Sequence, residues 1–125
     1  DAQIVLTASD AALVKSGTGT LETMLLRRPM VVTYRLDPIT YHVVKVLKQS
    51  KFVALPNILA GRELVPELLQ GDADPEKLAS ALLTEIHRAS NDPSYFDEFE
   101  RYHRMLRRDA SENAAEAIFE LIKVD

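Results

Sequence analysis

Ser16-Gly17-Thr18-Gly19-Thr20-Leu21-Glu22 has the residue types and spacing of an anion-binding turn. It lies between the apolar run Ala11-Ala12-Leu13-Val14 and a segment, Thr20 to Arg27, whose Leu21, Met24 and Leu25 recur at helical spacing. A strand that enters a helix through such a turn leaves the first helical N–H groups unpaired and carrying partial positive charge. Glycine lets an anionic group come close to that backbone. The hydroxyls of Ser16, Thr18 and Thr20 add further donors. Phosphate suits this chemistry, although a tight structural βα turn would use the same residues. A dinucleotide fingerprint would need glycine where Glu22 stands, and a Walker loop would need Lys followed by Ser or Thr after a longer loop, so both are excluded. Glu22 has two open readings, as a partner of the helix dipole or as an acceptor for a ligand's hydroxyls. A reciprocal capping box is excluded, because Gly19 occupies the position that needs Ser or Thr.

A second polar cluster lies in Leu55-Pro56-Asn57-Ile58-Leu59-Ala60-Gly61-Arg62-Glu63-Leu64. Ligands of open parallel sheets sit beyond the carboxyl ends of the strands. A loop there would let Asn57 orient a sugar or phosphate and Arg62 neutralise a diphosphate. An Asn turn and a surface Arg-Glu pair are the structural alternative. Arg101, Arg104, Arg107 and Arg108 form a stripe that Glu98 and Glu100 can partner as a solvated face, with an anionic membrane surface as the lesser reading. His42, His87 and His103 stand apart from any catalytic or metal-binding spacing and receive no role.

These residues need elements to hold them. Met30-Val31-Val32-Thr33-Tyr34 is the clearest strand, and with the preceding strand, turn and helix it makes a βαβ unit. Gln3 to Thr7 reads equally as strand or helical turn. A helix follows from Pro38 to Lys51, then a brief strand at Phe52 to Leu55, a loop at Asn57 to Arg62 and a short helix at Leu64 to Leu69. Asp74-Pro75 opens the next helix as N-cap and first residue. Two more helices are expected, from Ser94 to Arg108 and from Ser111 onward.

The 125 residues and 14.0 kDa suit one core. A compact monomer of that mass exposes about 6,700 Å². Net charge −4 argues against a general nucleic-acid binder, and the absence of Cys excludes thiolate chemistry and disulfides. The longest uncharged run, Phe52 to Gly61, is broken by Pro56 and falls short of the about 20 apolar residues that span a bilayer. The opening Asp1-Ala2-Gln3 has no initiator Met, and excision from a longer polypeptide is the expectation. On the residues alone, a nucleotide-sugar enzyme, a stand-alone phosphate-binding module and an α/β scaffold all remain open.

Three blocks in order carry a resemblance: Lys15 to Glu22, Arg28-Pro29-Met30-Val31-Val32-Thr33-Tyr34-Arg35, and Ser50 to Gln70 with its Leu55-Pro56-Asn57 and Gly61-Arg62-Glu63-Leu64. Together they resemble lipid-A-disaccharide synthases, over nearly the whole chain. The resemblance implies the C-terminal, nucleotide-sugar-binding half of a two-domain GT-B glycosyltransferase. That half is α/β, a Rossmann-like parallel sheet with flanking helices over residues 1–90, followed by a helical tail over 91–125. It also implies an inverting transfer of diacylglucosamine from its UDP donor to diacylglucosamine 1-phosphate, with neither cofactor nor catalytic metal. Ser16, Gly17, Thr18, Gly19 and Thr20 would cradle the diphosphate, Glu22 would accept from the ribose, Asn57 would be an active-site residue, and Arg62 would lie near the phosphates. The general base would lie outside this chain, and the fragment alone would be inactive. The enzyme would sit peripherally on the cytoplasmic face of the inner membrane, against its anionic surface. A tail separated from its other half would expose an apolar side, so self-association or marginal solubility is expected, and a clean, stable monomer in sedimentation would contradict it.

Overall fold

The computed structural model describes residues 1–47 and 51–122. Its elements run α1 (Ala2–Ala8), β1 (Ala12–Lys15), α2 (Thr18–Leu25), β2 (Met30–Tyr34), α3 (Pro38–Leu47), α4 (Leu55–Ala60), β3 (Glu67–Leu69), a 3₁₀ turn (Gln70–Asp72), α5 (Pro75–Asn91) and α6 (Asp97–Ile122). The strands form one parallel sheet in the order β1-β2-β3, so the chain has the expected Rossmann-like α/β fold with a helical tail. The expected continuation of α3 through Lys48 to Ser50 and the side chain of Arg108 lie outside the described residues.

Registers pair Leu13 with Val31 and Val14 with Val32, then Val32 with Glu67 and Tyr34 with Leu69. The carboxyl ends of β1 and β2 therefore lie side by side. Met30 and Val32 turn into the main core with Met24, Ala54, Val65, Tyr95, Phe99 and Tyr102. The opposite face of the sheet carries the buried Val31 next to Leu13, which is 51% exposed.

Of the two open readings of Gln3 to Thr7 the structure takes the helical one, with the Asp1 side chain capping the helix by accepting from the Gln3 N–H. Other local expectations differ from the structure. Phe52 to Leu55 is not a strand. The N–H groups of Val53 and Ala54 donate to the Glu67 carboxylate rather than to a ladder, and Leu55-Pro56 opens α4 where a loop was expected. Proline's fixed φ suits that first turn. Glu67 to Leu69 is a strand instead of the end of a helix. The edge of β2 captures this segment, with the Val32 N–H donating 2.8 Å to the Pro66 carbonyl. Finally, α6 is one helix through Ser111, since no Gly or Pro interrupts Asp97 to Ile122.

α2 ends in a Schellman motif, with Arg28 N–H donating to the Thr23 carbonyl and Arg27 N–H to that of Met24. Arg27 takes the left-handed position at φ 53, where glycine is more usual, and its guanidinium pairs with Glu100 on α6. The start of the tail is part of the core, with Phe99 only 1% exposed. Its apolar side is therefore covered at the first turns, whereas Met105 and Phe119 are exposed. The chain exposes 8809 Å², more than a compact monomer of this mass.

Beside the tail, Glu85 is buried on α5. It accepts from the Tyr95 hydroxyl at 2.6 Å and from Arg88 Nη1 at 2.7 Å. Burial, together with the bond to Glu85, pushes the Tyr95 hydroxyl well above the usual phenol range, so it stays a donor. Tyr95→Phe is expected to cost about 1–3 kcal/mol in chemical denaturation, because a buried carboxylate oxygen loses its donor. An unchanged midpoint would contradict that account.

Candidate functional site

The Gly-rich turn lies at the carboxyl end of β1. Gly17 is the N-cap of α2, with φ 144 and ψ −159, a combination essentially restricted to glycine. A Cβ on Gly17 would meet nothing within 4 Å, so its constraint is conformational. Gly19 is constrained by space, since a Cβ there would lie 3.3 Å from Val14 Cγ1. One glycine thus shapes the turn, and the other lets α2 lie close on β1.

Without an N-cap side chain, the first amides of α2, at Thr18 and Gly19, have no capping oxygen. Thr18 and Gly17 are exposed. The three hydroxyls expected to serve as donors separate here. Thr20 is buried and donates to the Gly17 carbonyl at 2.6 Å, and Ser16 donates to the Val53 carbonyl at 3.2 Å. Thr18 is the one left facing solvent. Because α2 begins at Thr18, Glu22 is its fifth residue, outside the first turn and exposed. That position weakens the helix-dipole reading, since the dipole's effect fades beyond the first turn. Lys15 ends β1 just before the turn, with Nζ 5.7 Å from the centre of the Tyr34 ring.

Asn57 is wholly buried in α4 with every polar valence used. Its Nδ2 donates to the Val65 carbonyl at 2.8 Å and to Glu67 Oε1 at 2.9 Å, and its Oδ1 accepts from the N–H groups of Leu64 and Val65 at 2.7 and 2.9 Å. In this arrangement it holds the chain after α4 and keeps no donor or acceptor for a sugar. Arg62 follows the C-cap of α4 and pairs with Glu98 of α6 at 3.2 Å.

Two residues carry weight that spacing did not reveal. The Glu67 carboxylate accepts from the N–H groups of Val53 and Ala54 and from the Asn57 amide. Gln70, at φ 54, clasps Leu36 through both ends of its amide, accepting from the Leu36 N–H at 2.7 Å and donating to its carbonyl at 2.9 Å. A signal for Glu67 was present, since it is a lone acid within Val65-Pro66-Glu67-Leu68-Leu69, where an exposed charge has no natural place. Among the described residues, no group of three or more His, Asp and Glu side chains is placed to hold a metal.

The site is thus an uncapped helix N-terminus at the carboxyl edge of a parallel sheet, walled on one side by Val53 through Ser16. A family model described as lipid-A-disaccharide synthetase matches residues 1–118. A protein of Pseudomonas putida named lipid-A-disaccharide synthase is 54% identical over 118 residues, covering 94% of this chain and 31% of the relative. Proteins of the same name from Azotobacter vinelandii and Pseudomonas fluorescens are 53% and 51% identical, over 93% and 95% of the chain and 30% and 31% of the relatives. The chain therefore spans about a third of the length of these curated relatives, and it belongs to the lipid-A-disaccharide synthase family.

Proposed function

We propose that this chain is the UDP-sugar-binding half of a lipid-A-disaccharide synthase. The observation that carries the reading is the N-terminus of α2, where Gly17 holds a glycine-only conformation and leaves the Thr18 and Gly19 amides without a capping side chain. In this reading the donor diphosphate lies against those amides and the Thr18 hydroxyl. Glu22, exposed one turn further along α2, accepts from the ribose hydroxyls. Lys15 adds positive charge at the rim. Asn57 shapes the neighbouring wall from within, and Arg62 fastens that wall's far end to the tail.

The reaction would transfer diacylglucosamine from UDP to diacylglucosamine 1-phosphate with inversion. The anomeric carbon's bond to the diphosphate oxygen breaks as its bond to the acceptor's hydroxyl oxygen forms. The acceptor proton passes to a base, and UDP leaves with the bonding pair. The amides at α2 stabilise the charge that builds on UDP. The base and the acceptor contacts would come from polypeptide outside these residues, which leaves the chain alone able to bind but not to turn over. Both substrates carry acyl chains, so the enzyme would work against the cytoplasmic face of the inner membrane. Arg104 and Arg107, on the exposed side of α6, are the cations this chain would offer to an anionic surface.

Titration with UDP, followed by amide NMR, tests the binding role. Shifts are expected at Lys15 to Thr20 and at Val53 to Asn57. Glu22→Ala should weaken binding by about tenfold, the worth of a hydrogen bond to a charged group. Gly17→Val should abolish binding and cost about 1–3 kcal/mol in stability. No UDP-dependent shift in the unmodified protein would overturn the reading.

A further inference from the structure

The polar cluster joining β3 to α4 contains a partly buried carboxylate with three donors aimed at it. We propose that Glu67 is a positioning residue for the nucleotide site, a built-in anion that holds the Val53 and Ala54 amides leading into α4 and thereby sets the wall facing the Gly-rich turn. The proposal rests on reading that turn as the nucleotide site.

Ser16 is the last residue before Gly17, and its hydroxyl donates to the Val53 carbonyl at 3.2 Å. The N–H of Val53 donates to both Glu67 oxygens, at 3.1 and 3.0 Å, and the N–H of the fully buried Ala54 donates to Oε1 at 2.7 Å. Asn57 completes the set at 2.9 Å. An unbroken series of hydrogen bonds therefore runs from β3 to the residue that introduces the turn. No strand ladder supports the Val53 segment, so Glu67 stands in for one.

Glutamine discriminates this role from plain packing. In Glu67→Gln the amide oxygen can stay at the Oε1 position and keep Ala54, Asn57 and the longer bond from Val53, while the amide nitrogen replaces the Oε2 acceptor and sets a donor against the Val53 N–H. In Glu67→Ala all three donors lose their acceptor. Amide hydrogen exchange on the free protein and UDP affinity are measured for both variants and the unmodified chain. Glu67→Ala is expected to speed exchange at Val53 and Ala54 by roughly tenfold or more, while Met30 to Val32 keep their protection, and to raise the UDP Kd about tenfold. Glu67→Gln should restore affinity to within about threefold of the unmodified chain.

Unchanged exchange at Val53 and Ala54 in Glu67→Ala would overturn the proposal. So would a freed segment with unchanged UDP affinity, or loss of protection at Met30 to Val32 in both variants, which would make Glu67 a general support of the fold. If the unmodified protein binds no UDP, the nucleotide reading fails first and the proposal falls with it. The exchange data then confine Glu67 to holding α4.

Discussion

Glu67 and Asn57 form a latch of side chain to backbone bonds on which the middle of the chain depends. β3 has three residues and α4 has six, and elements this short do not persist alone in water. Asn57 fixes the backbone of Leu64 and Val65, and Glu67 fixes that of Val53 and Ala54. Each element therefore holds the other. With the latch closed, Ala54 and Val65 reach the core, and Val53 reaches Ser16 beside the Gly-rich turn.

The tail shows how burial and charge divide the work of docking. Arg27 with Glu100 and Arg62 with Glu98 tie the carboxyl ends of α2 and α4 to the first turns of α6, but exposed pairs contribute only about 0–1 kcal/mol each. Phe99 and Tyr102, buried among Met24, Met30 and Val65, supply the larger, non-directional part. The ion pairs set orientation. The Glu85, Arg88 and Tyr95 cluster adds a second point of register, between α5 and the start of the tail. The turn that leads to the proposed ligand is thus backed by a packed layer, while its own surface stays open.

Where one segment decides its own structure, the sequence is readable. The β-branched run at β2, the Asp74-Pro75 start of α5 and the amphipathic spacing of α2 all gave the right element. Asp74 does cap α5, accepting from the N–H groups of Glu76 and Lys77. Residues 52–69 depart from the expected strand, loop and helix, because the deciding partners are distant: β2's free edge captures Glu67 to Leu69, and Glu67 takes the amides that a strand at Phe52 would have used. The same limit governs the candidate site. The glycine-dependent turn at Gly17 follows from local sequence, but the partners of Asn57, Arg62 and Ser16 lie elsewhere in the chain, and the Thr20 hydroxyl closes on the Gly17 carbonyl within the turn itself. A polar side chain's type shows what it can bond, and only the fold shows whether a partner already has it.

A crystal structure of the protein with bound UDP tests most directly whether the uncapped helix start, shaped by Gly17 and walled by the Glu67 latch, receives the diphosphate of a nucleotide sugar. Diphosphate oxygens are expected within hydrogen-bond distance of the Thr18 and Gly19 amides, with ribose hydroxyls at Glu22 and Glu67 still bonded to Val53 and Ala54. Diphosphate seated at the start of α4 in place of the Glu67 carboxylate, or bound between Arg62 and the tail, would contradict it.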